Sequence, residues 1–308
     1  MPALETTAPR HRYAMIVPCY NEENRFPFAH FLDFAQKNPD VLLCFVNDGS
    51  KDKTLAVLRG IQVESPGNIC LYSMKKNGGK AEAVRKGMLY VLRYFNTDLL
   101  GFLDADLATR PEEWLQMAKY RDLYPQFGSI IGSRIRRLGA NINRNDQRSL
   151  LSAVVRFIIR LILGVSFQDT QCGAKIFHRH LVPFLFRDPF MTPWLFDVEI
   201  FMRLRNKFGK KALQTGVLEF PLMHWSEVGD SRLTLRHSIR IPKQLIGLYL
   251  HYHASGLFIA KSGYSVFDIK NSHPRLSRIL GNLSRWFVGL SGSEGSKQRQ
   301  DMQQPTIV

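Results

Sequence analysis

No stretch of this 308-residue chain holds the roughly 20 consecutive apolar residues that a membrane-spanning helix needs. Its longest run without a formal charge, Gln244–Ala260, is interrupted by His251, His253, Ser255 and two glycines, and reads as an interfacial or buried helix. Cysteine is scarce: Cys19, Cys44, Cys70 and Cys172 are the only four, and none shows the pair spacing of a metal site. Three of them lie in or beside apolar runs, so buried free thiols and a reducing compartment are expected. Met1–Arg12 lacks the apolar segment of a secretory signal, from which a cytoplasmic chain is expected. Acidic residues are also in deficit, 26 against 42 Lys and Arg, a net charge of +16. That balance calls for an electrostatic partner: nucleic acid, an anionic membrane face or phosphate-bearing substrates. No internal repeat is present.

What the chain does contain is 45% hydrophobic residues, enough to bury a substantial core. In the first half, short β-branched apolar runs alternate with amphipathic segments, the pattern of a mostly parallel α/β sheet flanked by helices. Strands are predicted at Tyr13–Pro18, Val41–Val46, Ile69–Met74, Leu99–Leu103 and Ser129–Ile131. Helices are predicted around Glu23–Gln36, Lys53–Val63, Gly79–Phe95 and Pro111–Leu123, the last with a proline suited to a first turn. A polar, arginine-rich connector follows Arg134, then an apolar helix to Gly164, a helix over Phe196–Phe208 and a strand over Leu213–Phe220. The expected organisation is an N-terminal extension (1–12), a catalytic domain (13–233), a membrane-associating amphipathic segment (234–290) and a disordered tail (291–308).

In open α/β sheets ligands bind at the carboxyl ends of the strands, and there this sequence is unusually polar. The strand ends read Cys19-Tyr20-Asn21-Glu22, Asn47-Asp48-Gly49-Ser50, Lys75-Lys76-Asn77-Gly78-Gly79-Lys80 and Asp104-Ala105-Asp106. The two carboxylates of the last loop suit a hard divalent cation, Mg2+ or Mn2+, together with diphosphate oxygens. Asp48 is placed to accept from a ribose or base edge, and the Tyr20 ring offers a nucleobase a stacking surface. The glycines before Lys80 let backbone N–H groups approach phosphate.

Taken together these motifs resemble the family 2 glycosyltransferases of GT-A fold over roughly Tyr13 to Leu233. Likeness is closest to the dolichyl-phosphate β-glucosyltransferase and dolichyl-phosphate mannose synthase branch. It is carried by Asn77-Gly78-Gly79-Lys80, Asp104-Ala105-Asp106, Gly132-Ser133-Arg134, Asp169-Thr170-Gln171-Cys172-Gly173-Ala174-Lys175 and Trp194-Leu195-Phe196-Asp197-Val198-Glu199. The resemblance implies that Pro18, Tyr20, Glu22 and Asp48 hold the nucleoside, with Lys80 beside them, and that Asp104 and Asp106 hold metal and diphosphate. The family more often has a single glycine before the position of Lys80. Asp197 falls where many relatives carry a general base; with a phosphate acceptor it would orient the donor sugar or a cation instead. For the acceptor phosphate the resemblance implies Arg134, Arg148, Ser152 and Arg232. Arg148, Ser152, Arg156 and Arg160 recur every fourth residue, a basic stripe on an otherwise apolar helix that suits a headgroup region.

The expected reaction is inverting transfer of a hexose, first glucose from UDP-glucose, from a nucleotide-sugar donor to a polyprenyl phosphate on an anionic, cytoplasmic membrane surface. Mannosyl transfer from GDP-mannose and transfer to a sugar hydroxyl stay open. A nucleic-acid partner is set aside because the arginines of 134–160 are mixed with aliphatic side chains rather than interleaved with aromatics. A sugar nucleotidyltransferase is set aside because Pro18–Glu22 lacks a glycine-rich loop.

Overall fold

The computed structural model describes residues 11–143, 149–226, 241 and 243–253, with only the backbone path given for 143 and 149–154. The chain divides into two compact units, Met1–Ser231 and Arg232–Val308. Of the second, a helix over residues 243–253 is described. The rest of the proposed 234–290 segment, except residue 241, and the 291–308 tail lie outside the described residues.

The first unit is built on strands β1 (Tyr13–Cys19), β2 (Val41–Asn47), β3 (Ile69–Ser73), β4 (Leu99–Phe102), β5 (Ser129–Ser133), β6 (Asn141–Asn143), β7 (Lys175–His178), β8 (Val217–Pro221) and β9 (His224–Ser226). Seven of them form one sheet in the order β3-β2-β1-β4-β7-β5-β8, while β6 and β9 make a two-stranded ribbon. All the strands of the large sheet run parallel except β7, which is antiparallel to both β4 and β5. β1 and β2 are wholly or nearly buried along their length, because helices cover both faces; this is why they read as continuous apolar runs.

The helices are α1 (Phe28–Lys37), α2 (Thr54–Glu64), α3 (Lys80–Tyr94), α4 (Pro111–Leu123), α5 (Ser149–Leu163), α6 (Val182–Phe186) and α7 (Phe196–Gly216). Side chains alternate across the sheet. Tyr13, Met15 and Val17 join Phe31 and Phe34 of α1, Leu58 of α2 and Trp114 and Met117 of α4 in one core. On the opposite face α3 lies so close to the sheet that a Cβ on Gly87 would meet Ile16 and Val46 within 2.7 Å. α4 starts where expected, with Pro111 in its first turn and Glu112 and Glu113 favoured by the positive end of the helix dipole.

Two expectations need correction. α1 begins at Phe28 rather than Glu23, because the backbone N–H groups of Arg25 and Phe26 turn back onto the Glu22 carbonyl and Pro27 precedes the helix. The strand expected from Leu213 begins only at Val217: the last helix breaks at Gly209 (φ 84°) and resumes through good helix formers to Gly216.

The strand order reverses at β1, with β2 and β3 on one side and β4 on the other, so the switch-point crevice opens at the carboxyl ends of β1, β2 and β4. Antiparallel β7 delivers its first residue to the same end, since Lys175 pairs with Phe102.

Candidate active site

Loops after β1 and β2 are knitted into one wall. The Asn21 N–H donates to Ser50 Oγ (3.1 Å), the Glu22 N–H to buried Thr54 Oγ1 (2.7 Å), and the Lys51 N–H to Asn21 Oδ1 (3.0 Å). Pro18 and Tyr20 line this wall half-buried. The Glu22 carboxylate is clasped by Arg25, through Nε and through Nη2 at 2.7 Å, so its charge is already matched within the protein.

Asp48 is buried, and its carboxylate organises the third loop. Oδ1 accepts from the Gly78 N–H (2.7 Å); Oδ2 accepts from the Gly79 N–H (2.9 Å) and from Asn77 Nδ2 (3.0 Å). Burial pushes the carboxyl above its ordinary range, against the pull of these two amides. The glycine amides that the sequence offers to phosphate are therefore turned toward Asp48. Gly49 (φ 60°) makes the contact possible: a Cβ there would lie 2.5 Å from the Asn77 nitrogen.

At the end of β4, Asp104 and Asp106 face a cluster of alternating charge. Lys80, the first residue of α3, sets its Nζ 2.5 Å from Asp104 Oδ1. Burial alone would lower the lysine pKa, but Asp104, Asp197 and Asp106 together raise it, so it stays an ammonium. Asp106 is held above the usual carboxylate range by burial and by the like charge of Asp104. Gly173 packs onto Asp104 so tightly that a Cβ would sit 2.1 Å from Oδ2.

Behind this cluster lies a pair that charge patterning missed. Lys175 is completely buried and donates from Nζ to Asp197 Oδ1 and to the Cys172 carbonyl, both at 2.5 Å. Its sequence signal was a lysine opening a short apolar strand. Asp197 sits in the first turn of α7, whose N-cap is Leu195. Just before that turn, the segment 187–195 is tied down by Arg203, which donates to the carbonyls of Leu185, Asp188 and Pro189, and by Glu199, which accepts the Met191 N–H.

On the other flank, Arg134 at the end of β5 forks onto Asp169 with bonds of 2.6 and 2.8 Å and stacks over Trp225. Burial alone would lower the arginine pKa; Asp169 outweighs it and the net shift is upward. Arg134 joins Arg156, Arg160, Ile135, Phe157, Gln168 and Asp169 around a cavity of about 360 Å³. Arg148 and Arg232 lie outside the described residues, and Ser152 is placed on α5 by its backbone alone. The apolar side of α5 is used for packing: Val155, Ile158, Ile159, Ile162 and Leu163 are buried, leaving the arginines and Phe157 toward solvent. All four cysteines are buried free thiols, and burial pushes Cys172 up to about 11.

As a metal site, Asp104 and Asp106 fit a hard cation: two oxygen donors share one strand end, and their mutual repulsion is relieved by positive charge. No group of three or more metal-binding side chains occurs among the described residues. The pair matches the way magnesium is held by one or two carboxylates and completed by substrate phosphates.

A parallel sheet with an Asp-x-Asp loop at its switch point, walled by polar loops from β1 and β2, defines a GT-A glycosyltransferase fold. The same fold occurs in glucosyl-3-phosphoglycerate synthase from Mycobacterium tuberculosis, solved with Mn2+, UDP-glucose and phosphoglyceric acid. That structure superposes with a TM-score of 0.57 at 15% identity, over 79% of this chain and 80% of that one. The model of glycosyl transferase family 2 matches residues 14–186, and the chain belongs to that family. It is similar to a dolichyl-phosphate β-glucosyltransferase of Trichomonas vaginalis, 30% identical over 80% of this chain and 73% of the relative. A dolichyl-phosphate β-glucosyltransferase of Drosophila melanogaster is likewise 30% identical, over 82% of this chain and 78% of the relative.

Proposed function

We propose that this enzyme transfers glucose from UDP-glucose, with inversion, to the phosphate of a polyprenyl phosphate. The observation that carries the reading is the burial of Asp197 against Lys175. Asp197 Oδ1 is already engaged by the fully buried Lys175 Nζ at 2.5 Å, whereas a hydroxyl nucleophile would need an unengaged base at that position. A phosphate monoester, with a second pKa of about 6, is already ionised at neutral pH and needs none. The names of the two relatives support the same acceptor and sugar.

In this reading Tyr20 stacks on the base, while Asp48 shapes the floor of the nucleoside pocket by holding the Asn77–Gly79 loop in place. Asp104 and Asp106 would hold Mg2+ or Mn2+, which when bound neutralises the diphosphate of the leaving nucleotide; the M. tuberculosis neighbour was solved with Mn2+. Lys80 adds a second positive charge on that side. Asp197, fixed by Lys175, orients the sugar. An acceptor phosphate oxygen approaches the anomeric carbon from the Arg134 side, the new C–O bond forms as the bond to the nucleoside diphosphate breaks, and the departing diphosphate takes the electron pair. No proton moves from the nucleophile.

Attachment is proposed to be peripheral, on a cytoplasmic, anionic membrane face. The net charge of +16 supports it, and no helix among the described residues is long and apolar enough to cross a membrane. The test is a donor screen by nucleotide release, with and without a short-chain polyprenyl phosphate. Release from UDP-glucose that depends on the lipid phosphate is expected; release driven equally by a sugar alcohol would overturn the acceptor assignment.

A further inference from the structure

Helix α6 has only five residues and cannot satisfy its own last carbonyls. Two arginines from neighbouring helices take that role. Arg85 of α3 donates through Nη1 to the carbonyls of Phe186 (3.4 Å) and Arg187 (2.8 Å). Arg203 of α7 donates to those of Leu185 (2.6 Å), Asp188 (2.8 Å) and Pro189 (2.8 Å). An unbroken run of carbonyls, 185 to 189, therefore accepts from two side chains on two different elements, a task suited to the rigid, many-donor fork of a guanidinium.

Each arginine is oriented by a carboxylate of its own helix. Glu82 accepts from Arg85 Nε (2.6 Å) and Nη2 (2.7 Å). Glu199, fully buried, accepts from Arg203 Nη2 at 2.8 Å, and its other oxygen accepts the Met191 N–H at 2.9 Å. Further along, the Leu195 N–H donates to the buried Thr192 Oγ1 at 3.1 Å. A Cβ on Gly79, the N-cap of α3, would lie 3.7 Å from Pro193. The connection from α6 to α7 thus meets α3 near both of its ends and is tied to α7 in between.

Both helices carry a reaction-centre side chain in their first turn. Lys80 opens α3 and Asp197 is the second residue of α7; Arg85 and Arg203 follow them by about 7.5 and 9 Å along the helix axes, at 1.5 Å per residue. Asp197 bears electrostatically on Lys80, so the spacing of the two helix starts matters to both charges. We infer that Arg85 and Arg203 are positioning residues for the transfer: by gripping the 185–195 connection from two sides they fix the start of α3 against the start of α7, and with it the distance between Lys80 and Asp197. The inference rests on the reading above, in which Lys80 stands on the diphosphate side of the donor and Asp197 on the sugar side. The arginines act through the backbone, and what they protect is alignment: misplacement of a reacting group by about 1 Å can cost on the order of a hundredfold in rate.

The experiment compares the full chain with Arg85→Gln and Arg203→Lys, measuring kcat for glucosyl transfer to farnesyl phosphate, UDP binding by calorimetry and thermal stability. Arg203→Lys keeps a positive charge beside buried Glu199, and Glu82 beside Arg85 is partly exposed, so both variants should fold. In both, kcat should fall roughly ten- to a hundredfold, while UDP affinity, set by the loops after β1 and β2, is kept. Val91→Ala, a core truncation in the last turn of α3, lowers stability without loosening the connection and should keep the wild-type kcat. Unchanged kcat in either arginine variant, or a loss matched by an equal loss of UDP affinity, would overturn the inference and leave the reaction standing. A wild type without lipid-dependent transfer would overturn the reaction instead. The connection is then judged by the fluorine resonance of fluorotryptophan at Trp194, assigned by its loss in Trp194→Phe, which should shift or broaden in both arginine variants. A resonance that stays put in either one would overturn the inference as well.

Discussion

Lys175 and Asp197 form a buried ion pair: the lysine has no exposed surface and its Nζ lies 2.5 Å from Asp197 Oδ1. Removing one partner strands the other charge. Lys175→Met should therefore cost about 3–5 kcal/mol of stability, whereas Lys175→Met combined with Asp197→Asn should recover much of it; chemical denaturation of the four proteins measures the coupling. Asp197→Asn alone should retain measurable glucosyl transfer to a polyprenyl phosphate. Complete loss in a protein that remains folded would restore Asp197 as a general base.

Metal dependence is expected from Asp104 and Asp106. EDTA should stop sugar transfer, and Mg2+ or Mn2+ should restore it. Asp106→Asn should weaken UDP binding in the presence of metal but hardly in its absence, because Asp104 and Asp106 would hold the ion whose charge would offset that of the diphosphate. Full turnover in chelator would remove the cation from the mechanism.

Asp48 predicts a different kind of loss. Both its oxygens accept N–H donors from the third loop, so Asp48→Asn turns an amide NH2 toward one of two glycine N–H groups. Leaving such a donor unsatisfied costs about 1–3 kcal/mol. KM for the nucleotide sugar should rise by roughly tenfold as the loop loosens, with KM for the acceptor little changed. Equal rises in both would mean the variant has lost more than this loop.

Acid sensitivity should trace partly to Asp169. Burial alone would raise its pKa, but Arg134 outweighs burial and the folded value lies below the ordinary 3.8. A carboxyl depressed on folding stabilises fully above its unfolded pKa and loses that contribution as pH falls through the folded one. Denaturation across pH should show wild type more stable than Asp169→Asn at neutral pH, with the gap closing below about pH 4. A gap that persists unchanged into strong acid would show that the pair does not titrate as described.

Much of the fold was legible because its strands are buried on both faces and so appear as unbroken apolar runs; Val41–Asn47 is the clearest case. Pro111 announced α4 in the same way. β7 escaped notice because it is four residues long, runs against its neighbours and opens on a lysine. Nothing local marks Lys175 as buried; only the pairing of β7 with β4 carries it beneath Asp197.

By itself, the sequence determined which polar loops stand at the strand ends, since alternation of buried runs and amphipathic segments dictates the order of strands and helices. Asp104 and Asp106 at the end of β4 follow from that order alone. Tertiary structure decided how the charges are shared. Asp48 takes the amides of Gly78 and Gly79, Asp169 takes the fork of Arg134, and Lys175 takes Asp197. Each partner comes from a different element, and a bond closing at 2.5–2.9 Å depends on strand register and helix packing, which no local pattern of residues encodes.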